Sequence, residues 1–231
     1  MIKNSIKQDF IAQGYIVLRN FISEDEVLKL REICDNTPIN IGLDWNGNGA
    51  KELPNNEFGE YWTVHIYDNT FINDIFNRYT PIAEKLFGGK PFHSGIANFK
   101  VTNPMGGKMA PHFDAPYDRP KWHNDINIDF IKCIQFGIVV DTFNKTTGGT
   151  MIWPGSHLVE FSYKDVLNGR YNSEFLKHGI TIEAEPGDLL CFHARVMHST
   201  MPNHSNHKRR LLLNMYFSNN ETFKTQLLEK D

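Results

Sequence analysis

Apolar and polar residues follow two different rhythms along the chain. In the first part, residues 14–18 (Gly-Tyr-Ile-Val-Leu) form a β-rich run. Ser23 with Glu26 three residues later has the spacing of a capping box, which predicts a helix to about residue 35. Thr80 as N-cap, Pro81 in the first turn and Gly88 just past the end predict a second helix. Residues 40–60, rich in Asn and Gly, hold no period and read as a long loop or lid. From about Gly95 onward the texture changes to short strands over 133–140, 150–153, 188–192 and 211–217. Thr147-Gly148-Gly149, Pro154-Gly155-Ser156, Pro186-Gly187-Asp188 and Pro202-Asn203 punctuate them as turns. Short strands with such spacing predict a jelly roll with the helices packed outside it. We therefore expect one domain over 1–231, a mainly β fold with flanking helices: a helical and strand elaboration over about 1–94 and a jelly-roll core over about 95–220.

Composition narrows the setting. Of 231 residues, 40% are hydrophobic and 22% charged, a globular balance. The net charge of −3 and the shortness of the one basic cluster, Lys208-Arg209-Arg210, give no reason to expect nucleic acid or an anionic membrane as partner. No apolar run approaches the ~20 residues of a membrane span, and the opening residues are too polar for a secretory leader. Cys34, Cys133 and Cys191 form no CxxC pair, which suits a reducing cytoplasm.

The histidines carry the chemistry. In a strand, residues two apart share a face, so His112 and Asp114 would present an imidazole and a carboxylate side by side. Those are two members of the two-histidine, one-carboxylate facial triad that binds Fe(II). Alone, His-x-Asp is a weak signal. The third ligand must come from a distant strand, where His198 is the best candidate and His193 and His157 compete. His193 and His198 are five apart, so one unbroken strand would turn them to opposite faces. His157 follows a tight turn and could simply bond nearby backbone. The strand over 209–217 adds an anion site. Its odd positions, Arg209, Leu211, Leu213, Met215 and Phe217, form the apolar inward face. An arginine at the mouth of that face needs a buried anion, and a dicarboxylate such as 2-oxoglutarate would supply one. The alternative is an arginine snorkelling at the strand end.

At these residues the sequence resembles the phytanoyl-CoA dioxygenase family of Fe(II)/2-oxoglutarate-dependent oxygenases. The resemblance runs from about Phe10 to Phe217. It rests on the segments 9–23, His112-Phe113-Asp114, 140–157 ending in Pro154-Gly155-Ser156-His157, and 187–209. The last is the most specific, with Arg209 eleven residues after His198. The resemblance implies a jelly-roll fold, with iron on His112, Asp114 and His198. It also implies 2-oxoglutarate held by Arg209 with Thr200, O2 as the second co-substrate, and succinate and CO2 as products. No catalytic residue is expected beyond the metal ligands. Asp114 stands where halogenating relatives have a small residue, so oxygenation, usually hydroxylation, is implied. Lys100 is a further candidate for holding the co-substrate, or else a surface lysine. The substrate is expected to be a small metabolite or natural-product intermediate. Candidate contacts are Trp62, with Trp45 and Tyr61 near it, and Tyr117 and Trp122 in the segment 115–123. Two rival readings are another cupin-type metalloenzyme without 2-oxoglutarate, which would not need Arg209, and a non-catalytic jelly-roll binding protein.

Overall fold

The structure, a computed structural model, describes residues 4–37, 40–41, 51–52, 61–66, 69–93, 97–107, 109–119, 121–126, 131–162 and 172–220. Trp45, most of the expected lid and the side chains of Tyr61 and Trp62 lie outside them. The helices are α1 (Asn4–Gln13), α2 (Glu24–Asn36) and α3 (Thr70–Phe87). The strands before residue 95 are β1 (Tyr15–Leu18), β2 (Asn40–Ile41), β3 (Lys51–Glu52), β4 (Tyr61–Ile66) and β5 (Pro91–His93). Those after it are β6 (Ala97–Thr102), β7 (Cys133–Val139), β8 (Thr150–Ile152), β9 (Ile180–Thr181), β10 (Leu189–His193), β11 (His198–Thr200) and β12 (Arg209–Ser218).

The helix signals were of unequal value. α2 carries the expected capping box, in which Ser23 accepts from the Glu26 N–H and the Glu26 carboxylate accepts from the Ser23 N–H. α3 ends at Gly88, which takes the left-handed conformation at φ 74°. Its start, however, is Asn69, whose side chain accepts from the Ile72 N–H, and not Thr80. Pro81 therefore sits inside the helix. The apolar stripe explains why the helix runs through it: Ile72, Ile75, Phe76, Tyr79, Ile82, Ala83 and Leu86 are all buried at helical spacing. An interior proline costs ~3 kcal/mol, whereas each large apolar side chain contributes ~1.5–3 kcal/mol on burial. α1 has no such stripe and is not announced by periodicity. Phe10 is its one buried side chain among those described, and Gly14, at φ 80°, ends it by donating to Phe10 O at 2.7 Å.

The strands form a large antiparallel sheet in the order β1-β10-β7-β12-β6-β4, with β5 also on β12. A smaller sheet runs β11-β8-β9, and β2 pairs with β3. β1, β4 and β5 precede residue 95, so the elaboration and the β core share one sheet. The two main sheets face each other as a jelly roll. Val139, Leu190, Phe192, Leu211 and Leu213 from the large sheet pack against Ile152 and Ile182 on the other side. The opposite face of the large sheet, with Phe99, Val101, Ile134, Phe136, Ile138, Leu212 and Tyr216, is covered by α1, α2 and α3. Both faces of β7 and β12 are thus buried, which is why they read as nearly continuous apolar runs. Among the described residues no helix is long and apolar enough to cross a membrane.

Candidate metal centre

The inner face of the large sheet and the edge of the small one meet at three side chains. His112 is not in a regular strand. It makes a single antiparallel bridge with His198, each backbone N–H donating to the other's carbonyl at 2.9 and 3.1 Å. Asp114 N donates to Ala194 O at 2.9 Å, fixing the same extended segment two residues on. One ligand atom each from His112, Asp114 and His198 falls within 4.8 Å of the others, the one such grouping among the described residues. His198 Nε2 is 3.2 Å from Asp114 Oδ2, and His112 Nε2 is 3.9 Å from Asp114 Oδ1.

The other nitrogen of each ring is committed to the backbone. His112 Nδ1 lies 2.8 Å from Ala110 O and His198 Nδ1 lies 2.9 Å from Val196 O. Since a carbonyl only accepts, both Nδ1 atoms carry a proton and both Nε2 atoms face the carboxylate. Burial, with His198 nearby, lowers the pKa of His112 and keeps it neutral. Burial also opposes the charge on Asp114. His198, His112 and a hydrogen bond from Gln135 outweigh it and hold the carboxyl well below its usual range. Burial opposes charging of His198 too, but the adjacent Asp114 lifts its pKa. Two imidazole Nε2 atoms and a carboxylate on one side are the donor set that suits Fe(II), so these residues fit that metal.

Two cations share the inner face. Lys100 pairs in register with Leu211 and donates to Thr63 Oγ1 at 3.2 Å. Burial pushes its ammonium below the usual lysine range, with Asp114 pulling the other way. Its field is felt at His112 and His198, so it stands beside the triad and not on an outer surface. Two pairs further along, on the same face, Arg209 is opposite Thr102. Arg209 is 1% exposed; its guanidinium donates to Thr102 Oγ1 and lies 5.0 Å from the Phe143 ring centroid. Arg210 turns the other way, toward the helices, and is held by Asp141 at 2.8 Å and by both Asp35 oxygens at 2.9 Å. Thr200 lies on the His198 side of β11.

The rival histidines sit elsewhere. No unbroken strand joins His193 to His198: β10 ends at the first, β11 begins at the second, and residues 194–197 cross between sheets. His193 instead packs among Tyr117, His157 and Phe10, at centroid distances of 5.2, 5.3 and 6.4 Å. His157 Nε2 lies 2.9 Å from Ile11 O. Beside them is Arg195, 0% exposed, which donates to the carbonyls of His123, His157 and Val159.

The structure places the expected substrate contacts Tyr117 and Trp122 in a packed cluster. Tyr117 is 1% exposed, its ring is on His193, and its hydroxyl accepts from the Lys132 N–H. Burial drives its pKa far upward, and the structure makes it a core residue. Trp122 packs in the same cluster as Phe113, with the Lys132 ammonium over its ring. Burying aromatic area is favourable in itself. Trp62 pairs with Val101 in the backbone. Gln135 was missed by sequence reasoning, although it is the lone polar side chain in the run 133–140.

Comparison with known proteins agrees with this geometry. The phytanoyl-CoA dioxygenase family model matches residues 10–211. Ectoine dioxygenase of Stutzerimonas stutzeri is 25% identical over 150 residues, 64% of this chain but only 48% of that protein, so this match spans about half of the relative's length. A probable alpha-ketoglutarate-dependent hypophosphite dioxygenase of the same species is 25% identical over 227 residues, covering 90% of this chain and 76% of its own. The crystal structure of EctD from S. alaskensis with bound Fe shares the fold with a TM-score of 0.68, at 18% identity, over 94% of this chain and 77% of that one. With most of its length matched by the family model, the chain belongs to the phytanoyl-CoA dioxygenase family.

Proposed function

We propose that this chain oxygenates a small molecule, holding Fe(II) with His112, Asp114 and His198 and 2-oxoglutarate with Arg209. The observation that carries the reading is the tautomer arrangement: both Nδ1–H groups are tied to carbonyls, so both Nε2 atoms converge on one carboxylate within 4.8 Å. Arg209 supports the co-substrate, because a buried guanidinium on the inner face is a fork for a carboxylate. Thr200 and Lys100 are proposed to share the co-substrate's charge with it. When bound, iron with 2-oxoglutarate and O2 supplies an oxidant that attacks a C–H bond, with succinate and CO2 released. The protein's own work is to hold three donors on one side and to neutralise a dicarboxylate. Apolar residues flank His198, the most buried of the three ligands. Phe192 lies 4.8 Å from His198 in ring centroids, and Met197 and Ala194 are fully buried.

Hydroxylation is the outcome we favour, since Asp114 fills the position that halogenating relatives leave small. The substrate is read as a small metabolite or natural-product intermediate, in line with what the named relatives act on: ectoine in one case, hypophosphite in the other. We place the protein in a reducing cytoplasm, which its three buried free thiols suit. Anaerobic addition of Fe(II) and 2-oxoglutarate is expected to give a weak visible charge-transfer band. Absence of the band in folded protein, or its survival in Asp114→Ala, would overturn the assignment. A succinate-release screen across a metabolite library then identifies the substrate class.

A further inference from the structure

Gln135 is the inward residue at the middle of β7 and is 4% exposed. Its Nε2 donates to Asp114 Oδ2 at 2.8 Å. The two ends of the amide are not interchangeable here. An ionised carboxylate only accepts, so the NH2 must face Asp114 and Oε1 must face away. That Oε1 is buried and meets no donor among the described residues. In register on either side stand Phe192 and Met215, and Gly137, next on the same face, has no side chain. An unsatisfied buried acceptor is destabilising, and a leucine or methionine would fill this apolar position without it. Packing therefore does not explain the amide.

We propose that Gln135 is the positioning residue of the metal centre. Its amide holds Asp114 Oδ2, so the carboxylate offers the metal one oxygen in a fixed plane and does not swing to grip with two. That leaves room on the metal for the co-substrate's chelating end. The inference rests on the metal reading above, and its test separates the two. It acts through Asp114 alone, so it predicts coupling between the two residues and not merely a loss at each.

The experiment titrates metal into wild type, Gln135→Leu, Asp114→Ala and the double variant, with thermal melts as a fold check. Gln135→Met is a second variant of similar length in case leucine does not fold. Fe(II) under anaerobic conditions measures affinity. Ni(II), which binds nitrogen ligands more tightly than Fe(II), is titrated into all four proteins so that the comparison with and without the carboxylate uses one metal. Gln135→Leu is expected to weaken Fe(II) binding by about 10- to 100-fold, the usual effect of losing an outer partner of a ligand, with melting unchanged or raised. It should also alter the visible spectrum of the Co(II)-loaded protein. In the Asp114→Ala background the same change should alter Ni(II) affinity by less than about twofold. Wild-type Fe(II) affinity in Gln135→Leu, or equal weakening with and without Asp114, would sink the inference while leaving the metal centre standing. If Asp114→Ala itself leaves affinity untouched, the metal reading fails first.

Discussion

The turn over residues 194–197 separates two histidine clusters, each beside a buried arginine. On one side are His112, His198 and Asp114, with Arg209 further along the same sheet face. On the other are His123, His157 and His193, with Arg195 among them. Residue types hardly distinguish them. The carboxylate does. In the first cluster the imidazoles commit Nδ1 to carbonyls and turn Nε2 toward Asp114. In the second, the histidines bond the backbone: His157 Nε2 faces Ile11 O, His123 Nδ1 faces Tyr117 O, and His193 Nδ1 accepts from the Arg195 N–H. The arginine there is committed to carbonyls as well. The proposed metal centre is the cluster in which one nitrogen of each ring turns to a shared carboxylate; in the other the hydrogen-bonded ring nitrogens meet backbone groups.

Breaking the structural cluster should have the largest effect. Arg195→Met strips donors from the carbonyls of His123, His157 and Val159, and each buried acceptor left unsatisfied costs ~1–3 kcal/mol. Chemical denaturation should show a loss of ~3 kcal/mol or more, three such groups at the low end of that range. A near-neutral result would mean the arginine is not what holds these loops. Asp114→Ala breaks the other cluster, and a different measurement reads it: Fe(II) affinity should fall by more than the ~100-fold typical of outer partners, while the melting temperature of metal-free protein holds or rises. Arg209→Ala comes next. Losing one side of a buried charge pair costs ~2–5 kcal/mol, so 2-oxoglutarate affinity should drop at least about 30-fold while Fe(II) affinity is retained; unchanged 2-oxoglutarate affinity rules out the role. His193→Gln is the sharpest contrast with the triad, since Fe(II) affinity should stay within about threefold while stability falls by ~1 kcal/mol.

Acidification gives the smallest effect. Burial lowers the pKa of His123, His157 and His193, so all three are neutral in the folded protein. The unfolded chain takes up their protons near the ordinary value of 6.5. Stability contributed by keeping them neutral is therefore present above that pH and is lost as pH falls below it. Denaturation midpoints should decline through this window, and the decline should be shallower in His193→Gln. An equal slope in both proteins would show that His193 is not among the groups responsible.

Periodicity and turn chemistry made much of this legible. The runs at 133–140 and 211–217 became the two central strands, and the parity that put Arg209 inward and Arg210 outward holds, with Arg210 bound to Asp35 and Asp141 on the helix side. What escaped had weak local signals or non-local causes. α1 has one buried side chain among those described, and only Gly14 marks its end. Pro81 pointed to a helix start that the apolar stripe of α3 overrode. The burial of Tyr117 was not legible either, because aromatics serve pockets and cores equally well in a sequence. The tautomers of His112 and His198 depend on Ala110 and Val196 carbonyls, which no side-chain pattern records.

β12 is the last strand of the chain among the described residues, yet it lies in the middle of the large sheet, between β7 and β6. Its neighbours cannot pair with each other in its absence, so β1-β10-β7 and β6-β4 remain two fragments until residues 209–218 arrive. During synthesis, then, most of the chain emerges with its principal sheet divided and its long-range pairings outstanding. Arg209 arrives on the strand that joins the halves. The proposed co-substrate site and the closed sheet are thus completed by the same late event, and a chain stopped short of residue 209 would have neither.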